Sequence, residues 1–290
     1  MTMAGIKTIL LNDGVEIPVY GFGTFQIPAD GSTYDAVKAA LAAGIRHIDT
    51  AAAYFNEQEV GRAIRDSGIP RNEIFLTSKL WLQDHGYEAA CKGVDTSLRK
   101  LGTDYMDLYL VHQPYGDVPG AWRAMEEAKK AGKIRSIGVS NMTVKKWNHF
   151  IPQFDTMPSV NQVEFNPYCQ QKALRKLMDA AGVHLEAWGP LGQGNAKMLS
   201  EPVIQHIAEA HGKNPGQVIL RFEIQEGAVV FPKSVKTERI ASNMDIFDFV
   251  LTAPEMEAMR ALDTGKGCFD HDAPGVAEFL LSHFDVHADN

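Results

Sequence analysis

Residues 45–64 read "IRHIDTAAAYFNEQEVGRAI". A short apolar run, "IRHID", ends at Asp49, and a segment with helical patterning begins near Asn56-Glu57. A carboxylate and a phenol, those of Asp49 and Tyr54, stand between the two, where the predicted strand ends. The stretch therefore predicts one strand–loop–helix unit with two chemically useful side chains at the start of its loop.

The same unit recurs along the chain. Eight short apolar runs alternate with helix-patterned segments, several of which end in glycine, as helices often do. The runs are "IPVYGFG", "IRHID", "IFLTSK", "YMDLYLVH", "IRSIGVS", "SVNQVEF", "VHLEAWGP" and "AVVFPKS". Eight strand–helix repeats in about 250 residues predict an α/β fold of the closed parallel kind, a (β/α)8 TIM barrel. An open doubly wound sheet fits less well, because "GFGTFQ" lacks the G-x-G-x-x-G phosphate loop.

Both ends of the chain add to the predicted barrel. "TILLNDGVEIPVYGFG" has two apolar runs around Asn12-Asp13-Gly14, which predicts a β-hairpin. The last stretch, "GCFDHDAPGVAEFLLSHFDVHADN", predicts a C-terminal loop over one face of the barrel and then a frayed end. Because no linker or break in composition interrupts the chain, we expect one domain over residues 1–290.

Composition argues against several classes of protein. A net charge of −8 argues against a nucleic acid partner. No apolar run is long enough to span a bilayer, and "MTMAGIKTIL" lacks the pattern of a secretory signal. The widely spaced Cys91, Cys169 and Cys268 are expected to be free thiols rather than disulfides or zinc ligands. These features predict a cytoplasmic protein with neither a nucleic acid nor a membrane partner.

Polar side chains stand at the ends of the predicted strands. In a barrel of this kind the functional face lies at the carboxyl ends of the strands. The residues there are Gly23-Thr24, Asp49 with Tyr54 beyond it, Lys79, His112, Ser140-Asn141, Gln162, Trp188 and Lys233-Ser234. Of these, Asp49, Lys79 and His112 each end an apolar strand and precede a loop.

Each of these residues also has an ordinary structural explanation. Asp49 could cap the following helix, although Asn56-Glu57 stand closer to its start. Lysine is rarely buried without a partner, so Lys79 would need a carboxylate, and Asp49 on the neighbouring strand is the nearest candidate. Tyr54 and His112 could be packing residues. On three successive strands at one level, however, the four form a cluster that a plain core does not require.

A phenol, an ammonium, a carboxylate and an imidazole together suit the reduction of a carbonyl. Tyrosine has a pKa of about 10, and a nearby cation lowers it by stabilising the phenolate. Lys79 could supply that charge while Asp49 holds it in place, which would make Tyr54 a general acid toward a forming alkoxide. His112 could donate to the same oxygen. None of the four supplies electrons, so a cofactor must bring the hydride.

The chain resembles the aldo-keto reductase superfamily along nearly its whole length. Six motifs in order carry the resemblance: "IDTAAAYFNEQEVGRAI", "LTSKLW", "DYMDLYLVHQP", "GKIRSIGVSN", "VNQVEFNP" and "PKSVKTERIASN". The resemblance implies a barrel with a hairpin closing its bottom, an extended NADPH cofactor, and a catalytic tetrad of Asp49, Tyr54, Lys79 and His112. The variant "EAWGPLGQG" is similar to the bacterial branch that includes 2,5-diketo-D-gluconate reductases.

The resemblance also implies contacts to the nicotinamide half of the cofactor. Thr24 would lie beside the nicotinamide, and Ser140, Asn141 and Gln162 match residues that bond its carboxamide. Trp188 matches the aromatic residue on which the ring stacks, where many members have tyrosine followed by serine. Residues expected along the pyrophosphate are Gly189, Leu191 and Gln193.

By the same resemblance, the residues expected around the adenosine half of the cofactor favour NADPH over NADH. Lys233 and Arg239 match positions that bind the 2′-phosphate, with further phosphate contacts from Ser234 and the Val235 amide. Asn243 matches an adenine contact. The alternative is that the two cations are ordinary surface residues near a helix start, a position that the helix dipole disfavours for unpaired positive charge.

Aromatic residues after the strands predict the substrate pocket. Phe25, Trp81 and Tyr115 are expected to wall it, with Phe55 as a further candidate, although each could equally be rim packing. Such walls predict small-molecule aldehydes and ketones of modest size. Diketo sugar acids and methylglyoxal-like aldehydes both stay open as substrates.

Two other functions are compatible with the same barrel. A metal-dependent hydrolase would need clustered ligands at the strand ends, but His47 and His112 lie on different strands and no HxH pair occurs, so no metal is expected. A non-catalytic NADPH-binding sensor or regulatory subunit would bind cofactor without turnover. The presence of all four tetrad residues favours an NADPH-dependent oxidoreductase, expected to act as a monomer.

Overall fold

Residues 7–288 are described by the structure, which is a computed structural model. Two short strands, β1 (Thr8–Leu10) and β2 (Glu16–Pro18), form an antiparallel hairpin. Eight parallel strands follow and lie side by side in chain order. They are β3 (Phe22–Gly23), β4 (His47–Asp49), β5 (Phe75–Leu80), β6 (Met106–Val111), β7 (Ile134–Ser140), β8 (Val160–Glu164), β9 (His184–Trp188) and β10 (Val229–Val230).

Backbone pairing beside the first and last of these strands closes the sheet into a barrel. Tyr20 bridges Val230 in parallel orientation. The amides of Gly21 and Val230 donate to the carbonyls of Val230 and Val19 at 2.9 and 3.1 Å. The ring from β3 to β10 is the (β/α)8 barrel that the eight apolar runs predict, so the predicted fold class is confirmed.

The hairpin covers the amino-terminal mouth of the barrel, as predicted. Leu11 and Ile17 are buried in one apolar cluster with Phe75 and other side chains of the barrel interior. In the turn, the Asp13 carboxylate accepts a hydrogen bond from the Ser136 hydroxyl, at the start of β7, at 2.8 Å. The described hairpin therefore covers the bottom of the barrel.

The helices pack around the barrel. They are α1 (Ser32–Ala42), α2 (Glu57–Asp66), α3 (Tyr87–Leu101), α4 (Val118–Lys130), α5 (Val144–Phe150), α6 (Lys172–Ala180), α7 (Ala196–Leu199), α8 (Pro202–His211), α9 (Pro215–Gln225), α10 (Thr237–Met244), α11 (Ala253–Arg260) and α12 (Val276–His283). Helices α1–α6 and α8–α10 correspond to the helix-patterned segments between and after the apolar runs, whereas α7, α11 and α12 are additional. Within residues 7–288, none of these helices has the length and apolarity needed to cross a membrane.

The C-terminal segment differs in part from the predicted loop. It lies over the carboxyl-end face, as expected, but it contains helix α12, in which Val276 and Leu280 are spaced one turn apart and are both buried. They pack in one cluster with Trp81, whose indole nitrogen donates to the Phe284 carbonyl at 2.8 Å. The glycine and proline residues at the start of the segment favour a loop, so the sequence did not predict this short helix. The final residues of the predicted frayed end, 289 and 290, lie outside the described residues.

The alternation of side chains along β5 places a lysine inside the barrel. Successive strand residues point to opposite faces, so Phe75, Thr77 and Lys79 share one face. Phe75 belongs to the apolar cluster at the bottom of the barrel, which fixes that face as the interior. Lys79 is therefore an interior residue near the top of the strand, and it is fully buried.

One buried carboxyl group of the outer shell has no partner. Glu223 of α9 is fully buried, and neither carboxyl oxygen has a hydrogen-bond partner within the described residues. Burial raises its pKa well above the usual value. A carboxyl group with a raised pKa in the folded state costs stability once the pH exceeds its unfolded pKa of about 4.3, because the unfolded chain can ionise it and the folded chain cannot do so freely.

We therefore expect Glu223→Met to stabilise the protein. The free energy of unfolding in urea should rise by about 1–3 kcal/mol at pH 8 and by less at pH 5. Glu209→Met, at an exposed position on α8, is the matched control and should change little. An equal or smaller gain at pH 8 than at pH 5 would contradict the assignment of the cost to a buried carboxyl group.

Candidate active site

The loop after β4 is held by Asn56 and so fixes the position of Tyr54. The Asn56 amide donates to the carbonyls of Thr24 and Ile27 at 3.0 and 3.1 Å, and its oxygen accepts from the Thr50 hydroxyl at 2.8 Å. Asn56 stands at the start of α2 but makes no side-chain capping bond, so the expectation that it caps this helix is wrong. Its side chain instead ties the loop to the end of β3.

Lys79, Asp49 and Tyr54 meet inside the top of the barrel. The Lys79 ammonium donates to Asp49 Oδ1 at 2.5 Å, to the Thr50 carbonyl at 3.0 Å and to Tyr54 Oη at 3.4 Å. Asp49 Oδ2 accepts from Gln162 Nε2 at 2.9 Å. The lysine thus has the carboxylate partner that the sequence requires, and the phenol oxygen is next to a buried positive charge.

Burial and charge act in opposite directions on this pair. Burial alone would lower the pKa of Lys79, but the Asp49 carboxylate raises it above the ordinary value, so the ammonium keeps its charge. Burial raises the pKa of Tyr54 and outweighs the opposing effect of Lys79. The sequence predicts a lowered pKa for Tyr54, and this is wrong for the net shift, because a phenolate shielded from water loses its hydration. At neutral pH Tyr54 therefore keeps its proton.

His112 completes the cluster as a neutral imidazole. Its ring packs edge-on against Tyr54, with centroids 5.6 Å apart, and against Trp81 at 5.1 Å. Burial, with a smaller contribution from the Lys79 charge, holds its pKa well below the usual value. Its Nδ1 atom has no hydrogen-bond partner within residues 7–288. A neutral imidazole can donate one N–H to an oxygen without adding positive charge to the site.

One long cleft of about 1050 Å³ runs across this face of the barrel. Its aromatic end is formed by Phe25, Trp81 and the C-terminal segment, and its far end by α10. The predicted site residues in its wall are Phe25, Asp49, Tyr54, Trp81, His112, Ser140, Asn141, Gln162, Trp188, Gly189, Leu191, Gln193, Lys233, Arg239 and Asn243. Side chains from most of the barrel strands therefore meet along a single groove.

The middle of the cleft is a network of pre-oriented polar groups. Asn141 has a left-handed backbone with φ 56° and donates to the His112 carbonyl at 3.0 Å. The Trp188 indole nitrogen donates to Asn141 Oδ1 at 2.8 Å, and the Ser140 hydroxyl donates to the Gln162 carbonyl at 2.8 Å. The carboxamide residues and the indole that the resemblance assigns to the nicotinamide are thus linked to one another and to the tetrad.

The far end of the cleft is positively charged and is bordered by a glycine-rich loop. Gly189, Gly192 and Gly194, in the loop after β9, all have positive φ angles, and Gly189 and Gly194 line the groove. Beyond it, Lys233 and Arg239 are exposed and form no ion pair within the part of the chain that the structure describes. Two uncompensated cations at the end of a long groove fit a phosphate group.

Six predicted site residues lie outside the cleft wall. Lys79 is buried beneath it. Thr24 is also fully buried, and its hydroxyl donates to the Asp49 carbonyl at 3.1 Å. The Tyr115 hydroxyl donates to the His271 carbonyl at 2.6 Å, so this ring supports the C-terminal segment rather than the wall. The other three are Phe55 and Val235, which are exposed beside the cleft, and Ser234, whose hydroxyl accepts from the Lys236 amide.

Most of the wall residues from the C-terminal segment were not predicted individually from the sequence. Cys268, Phe269, His271, Phe279, Leu280 and Phe284 all line the aromatic end of the cleft. At the far end, Asn214, Pro215, Gly216 and Ser242 line it as well. The aromatic residues of the segment indicate a pocket wall. The segment lacks the alternating pattern of a barrel strand, however, so its position on the barrel could not be predicted. Its position depends on contacts such as Trp81 to Phe284, between residues distant in the chain.

A (β/α)8 barrel with a phenol, an ammonium and an imidazole at one end of a long groove and two cations at the other is typical of an oxidoreductase with a dinucleotide cofactor. A model of the Aldo/keto reductase family matches residues 20–264. The chain belongs to the aldo/keto reductase family, whose members generally use nicotinamide cofactors.

Similar proteins support the same assignment. Glyoxal reductase of Bacillus subtilis is 46% identical over 257 residues, 88% of this chain and 92% of the relative. Morphine 6-dehydrogenase of Pseudomonas putida is 44% identical over 297 aligned positions, covering 96% of this chain and 100% of the relative. The solved aldo/keto reductase of Brucella melitensis is 46% identical with a TM-score of 0.85, covering 89% of this chain and 100% of that structure.

Proposed function

We propose that the protein is an NADPH-dependent reductase of aldehydes and ketones, with Tyr54 as the proton donor. The observation that carries the proposal is the buried Lys79 ammonium beneath the wall of the cleft. Its Nζ atom donates to Asp49 Oδ1 at 2.5 Å and to Tyr54 Oη at 3.4 Å. Family membership and the names of the two relatives, glyoxal reductase and morphine 6-dehydrogenase, support carbonyl chemistry.

The four tetrad residues have separate roles in the proposed reaction. Tyr54 donates its Oη proton to the carbonyl oxygen, and Lys79 stabilises the phenolate that remains. Asp49 keeps Lys79 charged and in place. His112, held neutral, donates a hydrogen bond that orients the same oxygen. When bound, the reduced nicotinamide supplies the hydride that no side chain provides.

The rest of the cleft fits the proposed cofactor. Trp188 offers a ring face for the nicotinamide, and Ser140, Asn141 and Gln162 offer hydroxyl and amide groups for its carboxamide. Gly189, Leu191 and Gln193 line the groove where a pyrophosphate would lie. Lys233 and Arg239 would take the 2′-phosphate, with Asn243 at the adenine. We propose further contacts from Ser234 and the Val235 amide, which border this end.

The reaction class is tested by following NADPH absorbance with a panel of carbonyl compounds. We expect consumption of NADPH with at least one of glyoxal, methylglyoxal, nitrobenzaldehyde, a diketogluconate or a prostaglandin-like ketone. A protein that binds NADPH tightly but turns over none of them would support the alternative, a cofactor-binding sensor or regulatory subunit. A protein that binds neither NADPH nor NADH would overturn the proposal as a whole.

The preference for NADPH is expected to depend on Arg239. Arg239→Ala should raise the KM for NADPH roughly 10- to 100-fold, because a charge-assisted bond to a phosphate is lost. The KM for NADH, which has no 2′-phosphate, should change less than threefold by the same reasoning. Steady-state kinetics at saturating substrate, with NADPH and with NADH in turn, measure the two changes in KM.

The matched control for Arg239 is a neighbouring cation outside the cleft. Lys236 is exposed and does not line the groove, so Lys236→Ala should leave both KM values near wild type. Equal changes in the KM for NADPH and NADH in Arg239→Ala would remove the assignment of this residue to the 2′-phosphate.

A further inference from the structure

A second carboxyl group lies inside the barrel beneath the cleft. Glu186 of β9 is paired in register with Gln162 of β8 and Val229 of β10, and it is fully buried. Its Oε2 atom accepts a hydrogen bond from Gln162 Nε2 at 3.0 Å. Its Oε1 atom has no partner within residues 7–288. Glu186 is not one of the four tetrad residues.

Two carboxyl groups share the amide nitrogen of Gln162. Nε2 donates to Asp49 Oδ2 at 2.9 Å and to Glu186 Oε2 at 3.0 Å, which engages both of its hydrogens. Because Asp49 is also bound to the Lys79 ammonium, the opposite orientation would direct the amide oxygen at a carboxylate and is disfavoured. The amide orientation is therefore fixed, and Oε1 is the only atom of this amide left to bind a ligand in the cleft.

We propose that Glu186 is a positioning residue for the cofactor: together with Asp49 it holds the Gln162 amide so that its oxygen faces the nicotinamide carboxamide. Gln162 Oε1 then accepts an N–H of that group and fixes which face of the ring is turned to the substrate. This inference rests on the proposed function, since it needs a nicotinamide cofactor. Glu186 itself touches neither cofactor nor substrate.

The cost of burying Glu186 argues for a role beyond stability. Burial, and then the nearby charge of Asp49, raise the pKa of Glu186 to about 8, so the group is largely neutral at pH 7. A buried acid with one unpartnered oxygen is a poor structural anchor, and an apolar residue of similar size would cost less to bury. What an apolar residue cannot provide is the acceptor for Gln162. Glutamine, which is neutral and carries an acceptor oxygen, can provide it.

Two variants separate positioning from simple structural support. In Glu186→Leu the second hydrogen of Gln162 Nε2 loses its acceptor, and we expect the Kd for NADPH, measured by quenching of tryptophan fluorescence, to rise about tenfold. The melting temperature of the cofactor-free protein should be unchanged or higher. Glu186→Gln should restore the Kd to within about twofold of wild type, because it restores the acceptor. A structural role predicts instead that stability and affinity fall together.

A double-mutant cycle tests whether Glu186 acts through Gln162. The Gln162→Ala and Gln162→Ala/Glu186→Leu variants should bind NADPH with the same Kd, because there is no amide left to position. Additive losses would overturn the inference, as would a Glu186→Leu variant that binds as tightly as wild type. Glu186→Met replaces Glu186→Leu in every arm if the leucine variant does not fold. Absence of NADPH binding by the wild-type protein would instead overturn the proposed function.

Discussion

Tyr54→Phe is expected to lower kcat for carbonyl reduction by about 10²- to 10⁴-fold, the usual contribution of a general acid. In the proposed reaction the phenol donates to the substrate oxygen, and the raised pKa of Tyr54 means that it still carries its proton at neutral pH. The Kd for NADPH should stay near wild type, because Tyr54 lies at the tetrad and not at the charged end of the cleft. Single-turnover kinetics with fluorescence titration of the cofactor measure the two effects separately.

A tyrosine on the outside of the barrel provides the control for this variant. The Tyr87 hydroxyl donates to the Glu127 carboxylate between α3 and α4, on the exposed side of the protein. Tyr87→Phe should leave kcat unchanged. Turnover within a few-fold of wild type in Tyr54→Phe would contradict the role of Tyr54 as the acid.

Lys79→Met is expected to remove activity and to destabilise the fold. The variant deletes the cation beside Tyr54, so kcat should fall by a factor comparable to that of Tyr54→Phe, about 10²- to 10⁴-fold. It also leaves the buried Asp49 carboxylate without its ammonium partner, and breaking such a pair costs about 3–5 kcal/mol. Urea denaturation reports the loss of stability, and assays at a temperature where the variant is folded report the loss of turnover.

A double variant separates these two effects of Lys79→Met. In Lys79→Met/Asp49→Asn no unpaired charge remains, so we expect most of the stability to return. Turnover should not return, because Tyr54 still lacks its cation. A Lys79→Met variant that is folded and active would refute the proposed stabilisation of the Tyr54 phenolate by Lys79, whatever its stability.

The order of residues in the chain predicted the barrel correctly. Eight apolar runs at regular spacing correspond to β3–β10. Of the polar residues near the ends of three successive runs, Asp49 and His112 line the cleft and Lys79 is buried beneath it. The pairing of Lys79 with Asp49 was also predictable, because a lysine at the end of a buried strand needs an acidic partner. The catalytic roles themselves, the preference for NADPH, the monomeric state and the cytoplasmic location stay predictions.

Several features of the site could not be predicted from local pattern. Asn56 looks like a helix cap in sequence, yet its side chain binds carbonyls of the loop after β3. Glu186 looks like an ordinary polar residue in the strand "VHLEAWGP", and only the closed barrel brings it to Gln162. The net pKa shift of Tyr54 depends on how much water the surrounding fold excludes.

The sequence by itself determined the class of fold and the chemistry available at its functional face, because strand period and strand ends are local properties of the chain. The tertiary structure alone decided how that chemistry is arranged. It brought the C-terminal segment over the cleft, linked Asp49 and Glu186 through the Gln162 amide, and excluded enough water around Tyr54 to raise the pKa of its phenol. These outcomes depend on contacts between residues distant in the chain and on the exclusion of water, which no short stretch of sequence encodes.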